Sequence, residues 1–203
     1  SGLEVLPELV QSGVTSLKIE GRLKSPEYVA SVTQVYRRAL DRLGESFLNP
    51  ESKRPPYYVS PSDKYQLEMS FSRGLYTGWF RGINNQELAH ARFGKKRGVY
   101  LGQVTRVEND KAIWVDLEAP LAVGEGVVFD QGRPDQDEAG GRVRFVDEIR
   151  TGGQKVSRVG FDKRSFPWGR VKVGDRVWKT SDPVWEKTAR QSYQVDSPQR
   201  TQP

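Results

Sequence analysis

Two sets of side chains in this 203-residue chain could hold a charged substrate. In the first set, Glu20 and Arg22 stand at the end of a short alternating segment, Ser16 to Glu20, that predicts a β-strand. A carboxylate at the end of a strand can bind a substrate cation, and an arginine there can hold a phosphate or carboxylate through two hydrogen bonds. The alternative is an internal ion pair of Glu20 with Arg22 or Lys24 that ties down the loop.

The second set lies in a later loop, where aromatic residues alternate with cations. Its members are Lys163, Arg164, Phe166, Trp168 and Arg170. Cations neutralise phosphates and exposed rings stack on unpaired bases, so this loop is predicted to bind RNA. The charge distribution agrees, because residues 142–179 include eleven basic and four acidic residues, whereas residues 108–138 include nine acidic and two basic ones. The alternative is that these charges interleave in the folded protein.

Other chemistry is absent from the sequence. The chain has no cysteine and one histidine, which excludes disulfides, thiolate metal sites and histidine-rich metal sites. It contains no Ser-His-Asp set and no glycine loop of the phosphate-cradling type. We therefore assign no catalytic residue and expect the chain not to be catalytic alone. No apolar run approaches the ~20 residues that span a bilayer, so we expect no membrane partner and a cytoplasmic location.

The elements around the first set form a strand–loop–helix unit. Leu3 to Gln11 predicts a short helix, and Ser25 and Pro26 predict the cap and first residue of a longer one that Gly44 ends. The apolar face of this longer helix comprises Tyr28, Val29, Val32, Val35, Tyr36, Ala39, Leu40 and Leu43. A lone strand between helices cannot stand by itself, so residues 1–44 are predicted to be part of an α/β layer or barrel whose larger part is missing.

The middle of the chain predicts a connection between domains. Proline-rich and serine-rich text indicates a linker over residues 45–64. A helical and aromatic connector follows over residues 65–96, with a helix predicted from Lys64 to Arg73. Gly74 to Gly82 combines three glycines with three aromatic residues. These rings either stack on bases or form a small core under a loop.

From residue 97 to residue 180 the pattern changes to β. The predicted strands are Gly98–Val104, Ala112–Leu117, Glu125–Asp130, Arg142–Ile149, Val156–Phe161 and Arg176–Thr180. Their spacing predicts a small antiparallel β-barrel domain, with a polar acidic loop at Gly132–Gly141. A Val-Gly-acid motif occurs at residues 123–125 and again at 173–175, through either two related half-barrels or chance. Residues 181–203 predict a helix and a tail, so the whole chain is of the α+β class.

Four stretches carry a family resemblance. SLKIEGRLKSPEYV and VYRRALDR resemble the end of the catalytic barrel in peptidase family U32, the collagenase-like proteins. GVYLGQV and VWKTSDP resemble the domain that follows this barrel in larger members, so the resemblance covers most of residues 3–190. It implies the C-terminal portion of such a protein, in which residues 1–44 are the C-terminal remnant of an α/β (TIM-like) barrel and the remainder of that barrel is a partner.

The family includes reputed peptidases and RNA-hydroxylation proteins. The resemblance implies an accessory region that assists RNA binding in ribosomal RNA hydroxylation. Two alternatives stay open: a region that presents a protein substrate to a collagenase-like peptidase, and a structural lid or dimerisation module. Several members hold an iron–sulfur cluster on barrel cysteines. This chain has no cysteine, so we expect no cofactor in it and any such cluster in the absent part.

Overall fold

The computed structural model describes residues 2–48, 57, 59–71, 80, 97–132, 137–151 and 154–194. The chain forms two compact units, unit 1 with residues 1–91 and 184–203 and unit 2 with residues 92–183. The predictions for residues 49–56 of the linker and 72–96 of the connector, Phe80 excepted, fall outside the described residues. The architecture is mixed α and β, with the long helices in unit 1 and an antiparallel sheet in unit 2.

The described part of unit 1 is built from helices. A 3-10 turn, Leu3–Val5, leads into α1 (Leu6–Gln11), which is followed by α2 (Pro26–Leu48), α3 (Pro61–Phe71) and α4 (Pro183–Gln191). The helix predicted over residues 3–11 is therefore confirmed. The start of α2 is confirmed as well, because the Ser25 hydroxyl accepts the N–H of Tyr28 at 3.3 Å and caps the helix.

Two helix boundaries differ from the prediction, and both differences have local causes. α2 does not end at Gly44 but continues to Leu48. A glycine inside a helix costs only about 1 kcal/mol, which the packing of the helix offsets. α3 begins at Pro61, earlier than predicted, because the Ser60 hydroxyl accepts the N–H of Asp63 at 3.0 Å. Ser60 and Pro61 thus start a helix rather than form a turn.

The predicted strand Ser16–Glu20 is not a strand here, since it pairs with no described segment. Its alternation serves packing instead, because Leu17 and Ile19 lie against the core of unit 1. The buried members of this core are Leu3, Leu6, Val32, Val35, Ala39, Leu43 and Leu67. A strand needs a hydrogen-bonded neighbour, and the described part of unit 1 offers only helices.

The C-terminal helix α4 is tied to the start of α2. Glu27 Oε1 accepts hydrogen bonds from the Tyr193 hydroxyl at 2.7 Å and from Arg190 Nε at 3.2 Å. The bond from Tyr193 contributes most to lowering the pKa of Glu27 to about 2. Unit 1 is therefore assembled from both ends of the chain, and unit 2 lies between them in sequence.

Among the described residues, unit 2 forms one sheet of seven antiparallel strands. In chain order they are β1 (Val99–Glu108), β2 (Ala112–Leu117), β3 (Gly126–Asp130), β4 (Ala139–Arg142), β5 (Phe145–Thr151), β6 (Gln154–Gly160) and β7 (Arg176–Ser181). β2 has its predicted bounds. The predicted acidic loop Gly132–Gly141 is wrong at its end, because β4 begins at Ala139, and residues 133–136 lie outside the described part.

The sheet is open, so the predicted closed β-barrel is wrong on this point. Its strand order is β4-β3-β7-β1-β2-β6-β5, which leaves β4 and β5 as edges. The predicted strand Arg142–Ile149 is split at Val143. The N–H of Val143 donates to the carbonyl of Glu125, and its carbonyl accepts the N–H of Gly124, at 2.9 Å each, so neither group pairs with a strand. Only Val143 and Arg144 separate the two edge strands in sequence. The sheet must therefore curl so that both edges reach this bend.

The two Val-Gly-acid turns have the same structure. Gly124 and Gly174 adopt φ values of +89° and +90°, which favour glycine. Their N–H groups donate to valine carbonyls of other segments at 2.9 and 2.8 Å. The side chains of Glu125 and Asp175 each accept the N–H of the residue three positions earlier, at 2.9 and 2.8 Å. The recurrence in sequence is thus a recurrence in structure.

The strand pairing repeats in the same way. β1 pairs with β2 as β5 pairs with β6, and β1 pairs with β7 as β4 pairs with β3. The pairs β2–β6 and β3–β7 join the halves, and in them Ile113 faces Val159 and Val128 faces Trp178. Ile113 in the first half corresponds to Val159 in the second, and Val128 corresponds to Trp178. Each residue therefore faces its own counterpart. Unit 2 therefore consists of two related halves about a pseudo-twofold axis.

Candidate nucleic-acid interface

The loop between β6 and β7, residues 161–175, carries the second predicted set, and we call it the long loop. Asp162 organises its first turn, because its Oδ1 accepts the N–H groups of Ser165 and Arg164 at 3.1 and 3.0 Å. These backbone hydrogen bonds, with that of Ser165 the larger, lower the pKa of Asp162. The turn leaves Lys163 and Arg164 exposed to solvent.

The aromatic members of the predicted set are in the core rather than on the surface. Phe166 is 5% and Trp168 6% exposed. The ring of Phe166 stacks on Phe161 with centroids 4.2 Å apart and meets the Trp168 ring edge-on at 4.9 Å. The stacking on bases expected of these two rings does not fit this packing, because neither ring offers a free face. Apolar burial outweighed the cationic sequence context around them.

The cationic members of the set remain accessible. Lys163, Arg164 and Arg170 are exposed, and Arg144 from the β4–β5 bend joins them through a 3.9 Å contact with Asp162. We call Arg144, Lys163, Arg164 and Arg170 the loop cations. Neither Lys163 nor Arg164 makes an ion pair with any described residue. A polyanion would therefore meet cations that no acid of the described chain neutralises.

Three of the seven other basic residues in residues 142–179 form ion pairs with described residues. The pairs are Lys179 with Glu125 at 2.7 Å, Arg158 with Glu108 at 3.3 Å and with Asp147 at 3.4 Å, and Lys155 with Glu148 at 2.6 Å. The Lys179–Glu125 pair is buried, whereas the others lie on the surface. Charge interleaving, the alternative for this region, thus holds for part of the sheet, whereas Arg142, Arg150 and Arg176 on its strands make no ion pair with a described residue. The long loop adds further cations without an acidic partner in the described chain.

The first predicted set, in unit 1, lies on the surface, since Glu20 and Arg22 are both exposed. Glu20 is exposed, lies 3.5 Å from Lys18 Nζ, and accepts the backbone N–H of Arg22 at 3.1 Å. An internal pair of this kind was the alternative, although its partner is Lys18 rather than Arg22 or Lys24. The neighbouring Leu23 has a φ of +59° and is 96% exposed, so the loop presents its side chains to solvent.

Unit 2 also contains a cavity of about 260 Å³ beside the long loop. Its lining is Phe129, Gln131, Asp137, Glu138, Ala139, Gly169, Arg170 and Lys172. Arg170 alone among these was singled out from the sequence. Gln131 is held by two acceptors, the Arg170 carbonyl and Asp175 Oδ2, the latter at 3.1 Å. The sequence signal that could have indicated this cavity is the length of the long loop. It has fifteen residues, whereas the corresponding connection in the first half, residues 118–125, has eight.

The acidic wall of this cavity is partly neutralised from behind. Arg97, whose side chain is 3% exposed, forms ion pairs with Glu138 and with Asp130 Oδ1, the latter at 3.6 Å. Arg170 Nη2 donates to the backbone oxygen of Asp137 and so bridges the long loop to the segment before β4. Among the lining residues, the charges of Arg170 and Lys172 face those of Asp137 and Glu138, and Arg97 offsets part of the charge of Glu138.

Comparison with known proteins places these features in context. Residues 1–90 match the family model for peptidase family U32. The chain is 33% identical over 125 residues to the 23S rRNA 5-hydroxycytidine C2501 synthase of Escherichia coli, covering 60% of this chain and 18% of that protein. It is 33% identical over 85 residues to tRNA hydroxylation protein P1 of Bacillus subtilis, covering 42% and 18% respectively. A collagenase of Porphyromonas gingivalis is 30% identical over 182 residues, covering 87% and 47%.

The chain spans less than half the length of each of these relatives. No solved structure matches it at a comparable level of significance. Among the described residues, no helix combines the length and apolarity that crossing a bilayer requires.

Proposed function

Because residues 1–90 belong to peptidase family U32, we propose that this chain is an accessory region of an RNA-hydroxylating U32 protein and holds the RNA substrate. The observation that carries the proposal is the set of exposed loop cations, two of which, Lys163 and Arg164, have no acidic partner among the described residues. Relatives named for rRNA and tRNA hydroxylation support the choice of RNA. Cations fixed on an organised turn bind phosphates by displacing counterions.

Unit 1 supplies the second part of the proposal. The segment Ser16–Glu20 packs one face on the core of unit 1, but its backbone has no strand partner in the described chain. We propose that it becomes a strand in the remainder of an α/β barrel, with Glu20 and Arg22 at the strand end beside the substrate. No side chain here fits an iron–sulfur cluster, since the chain has no cysteine. Any such cluster belongs to the remainder of the protein.

RNA binding is tested on the full chain by fluorescence anisotropy with a structured ribosomal RNA fragment at increasing salt. Lys163→Glu with Arg164→Glu should lower the affinity and flatten the log–log salt slope by about one unit per lost phosphate contact. Lys111→Glu is the matched control, because Lys111 is exposed and makes no ion pair with a described residue. Equal losses of RNA affinity in both variants would show that binding depends on the overall charge of the chain and not on this loop. No RNA binding by the wild type at low salt would refute the proposal.

The second candidate is a substrate-presenting region of a collagenase-like peptidase. The collagenase relative matches 87% of this chain, a larger share than the RNA-hydroxylation relatives match. A collagen-like peptide in the same anisotropy assay separates the two. Binding of the peptide that survives the Lys163 and Arg164 reversals, without RNA binding, would favour this candidate. Binding of neither ligand would leave a structural lid or dimerisation module.

A further inference from the structure

We infer that the cavity of unit 2 receives one nucleotide of an RNA strand, with its phosphate between Arg170 and Lys172 and its base or ribose against Gln131. The inference rests on the proposed function and narrows it to a particular site. It adds Gln131, Gly169 and Lys172, which are not among the loop cations, to the residues that contact RNA.

The charges at the cavity favour an anion. Arg170 uses Nη2 for the backbone oxygen of Asp137, and its other guanidinium N–H groups bond to no described residue. The ammonium of Lys172 likewise makes no hydrogen bond or ion pair with a described residue. A guanidinium and an ammonium on one wall match the several oxygens of a phosphate. Glu138 opposes an anion only in part, because it forms an ion pair with Arg97, which Asp130 shares.

The neutral groups favour a polar ring beside that anion. Both acceptors of Gln131, the Arg170 carbonyl and Asp175, bind its Nε2, which fixes the amide and leaves Oε1 as an unused acceptor. A base amino group or a ribose hydroxyl can donate to it. Phe129, Ala139 and Gly169 supply the uncharged, apolar part of the lining, against which a ring can lie. The volume of about 260 Å³ lies just below the ~300–1,000 Å³ typical of small-molecule pockets, and so suits a single nucleotide.

A carboxylate of a protein chain is the competing anion, and the surroundings of the cavity favour RNA over it. Arg170 belongs both to the cavity lining and to the loop cations, so positive charge continues from the cavity along the long loop. A nucleic acid strand has a phosphate at every residue and can use the cavity and the exposed cations together. A peptide terminus has one carboxylate and would use the cavity alone.

The decisive variants leave the loop cations intact. A Cβ on Gly169 would meet no atom within 4 Å, and its backbone does not need glycine, so Gly169→Leu should fill space at the cavity wall without strain. Lys172→Gln removes one cation whose side chain supports no described contact. Isothermal titration of the full chain with cytidine 5′-monophosphate, cytidine and inorganic phosphate then measures binding. Far-ultraviolet circular dichroism and the melting temperature verify that each variant is folded.

We expect the monophosphate to bind the wild type more tightly than cytidine or phosphate alone. Gly169→Leu should abolish this binding, and Lys172→Gln should weaken it roughly tenfold, as loss of a charge-assisted contact does. The Lys163→Glu with Arg164→Glu variant should keep it while losing RNA affinity. RNA binding without mononucleotide binding, or mononucleotide binding unchanged in folded Gly169→Leu, would overturn the inference and spare the proposed function. Tighter binding of a peptide carboxylate than of cytidine monophosphate to the wild type would also overturn the inference. If the wild type bound neither RNA nor the mononucleotide, both the inference and the proposed function would be overturned.

Discussion

The two halves of unit 2 share turns and strand pairing but fill one inward position differently. Phe129 and Lys179 each follow the turn glycine by five residues, and they are 1% and 3% exposed. Phe129 packs edge-on against Phe161 and Phe166 at 5.8 Å, whereas Lys179 Nζ donates to Glu125 Oε1 at 2.9 Å. One half therefore completes its core with rings from the long loop, and the other with a buried ion pair.

This difference separates what the fold requires from what has become specialised. Both halves keep the glycine with positive φ and the acid that accepts a backbone N–H, because the glycine takes this φ without strain and the acid satisfies a donor of the turn. The aromatic cluster, the loop cations and the cavity wall from Gly169 to Lys172 all depend on the long loop of the second half. Function is therefore expected where the symmetry is broken.

The largest expected effect comes from removing the ring that makes the halves different. Phe166→Ala should destabilise the chain by about 3–5 kcal/mol, because it leaves a cavity among Phe129, Phe161 and Trp168. Urea unfolding followed by circular dichroism measures the free energy. Val173→Ala, at a position that is 66% exposed, should change it by less than about 0.5 kcal/mol. A small loss of stability with a large loss of RNA affinity would show that Phe166 is exposed and contacts RNA instead of packing in the core.

The acids of the two turns should also differ in their effect. Glu125→Ala should cost about 3–5 kcal/mol, because the buried ammonium of Lys179 would lose the carboxylate that neutralises it. Asp175→Ala should cost about 1–3 kcal/mol, because it deprives only hydrogen-bond donors, from Lys172 and Gln131, of their acceptor. Replacing both Glu125 and Lys179 by leucine should recover most of the first loss. Equal costs for the two single variants would show that Lys179 does not depend on Glu125.

The shared glycines offer a test in which the halves should agree. Gly124→Ala and Gly174→Ala should each cost about 1–2 kcal/mol, because an alanine must adopt the left-handed φ although its Cβ would clash with nothing. Gly169→Ala is the control and should be close to neutral, since its φ is not positive. Thermal unfolding of the three variants gives the comparison. Costs that differ by more than about 1 kcal/mol between the two turns would break the symmetry.

The smallest expected effect concerns the turn that only the second half has. Hydrogen bonds from Ser165 and Arg164 lower the pKa of Asp162, so the folded chain binds a proton there less readily than the unfolded chain. Its contribution to stability is therefore complete above the ordinary pKa of 3.8 and is lost as the pH falls through the lowered value. Melting temperatures from pH 6 to pH 2 should fall less steeply for Asp162→Asn. Identical slopes would mean that Asp162 does not hold the turn.

Local signals predicted the parts of the fold that depend on local chemistry. The bounds of β2, the capping of α2 by Ser25 and the repeated turn follow from residue type and spacing alone. The burial of Phe166 does not, because an aromatic residue between cations looks the same whether it faces inward or outward. What decides it is the space over Gly141, where an added Cβ would lie 2.7 Å from the Phe166 ring.

Other errors came from interactions across the sheet. The split of the predicted strand at Val143 depends on hydrogen bonds to a turn eighteen residues away in sequence, which no local pattern reports. The cavity escaped for the same reason, since Gln131, Asp137 and Lys172 come from three separate segments. Ser16–Glu20 shows the opposite case: its alternation reflects packing of Leu17 and Ile19 on the core, but a strand also depends on a hydrogen-bonded neighbour that the described chain lacks.

The pairing of β1 with β7 has a consequence for how unit 2 can be inherited and handled. Val99, near the entry of unit 2, lies opposite Lys179, near its exit, on adjacent strands. A segment whose two ends emerge side by side can be spliced into the surface of another protein, or cut out and replaced by a short bridge, without pulling its host apart. In this chain the sheet is therefore carried as a removable segment between α3 and α4, so a host could gain or lose the whole sheet in one genetic step.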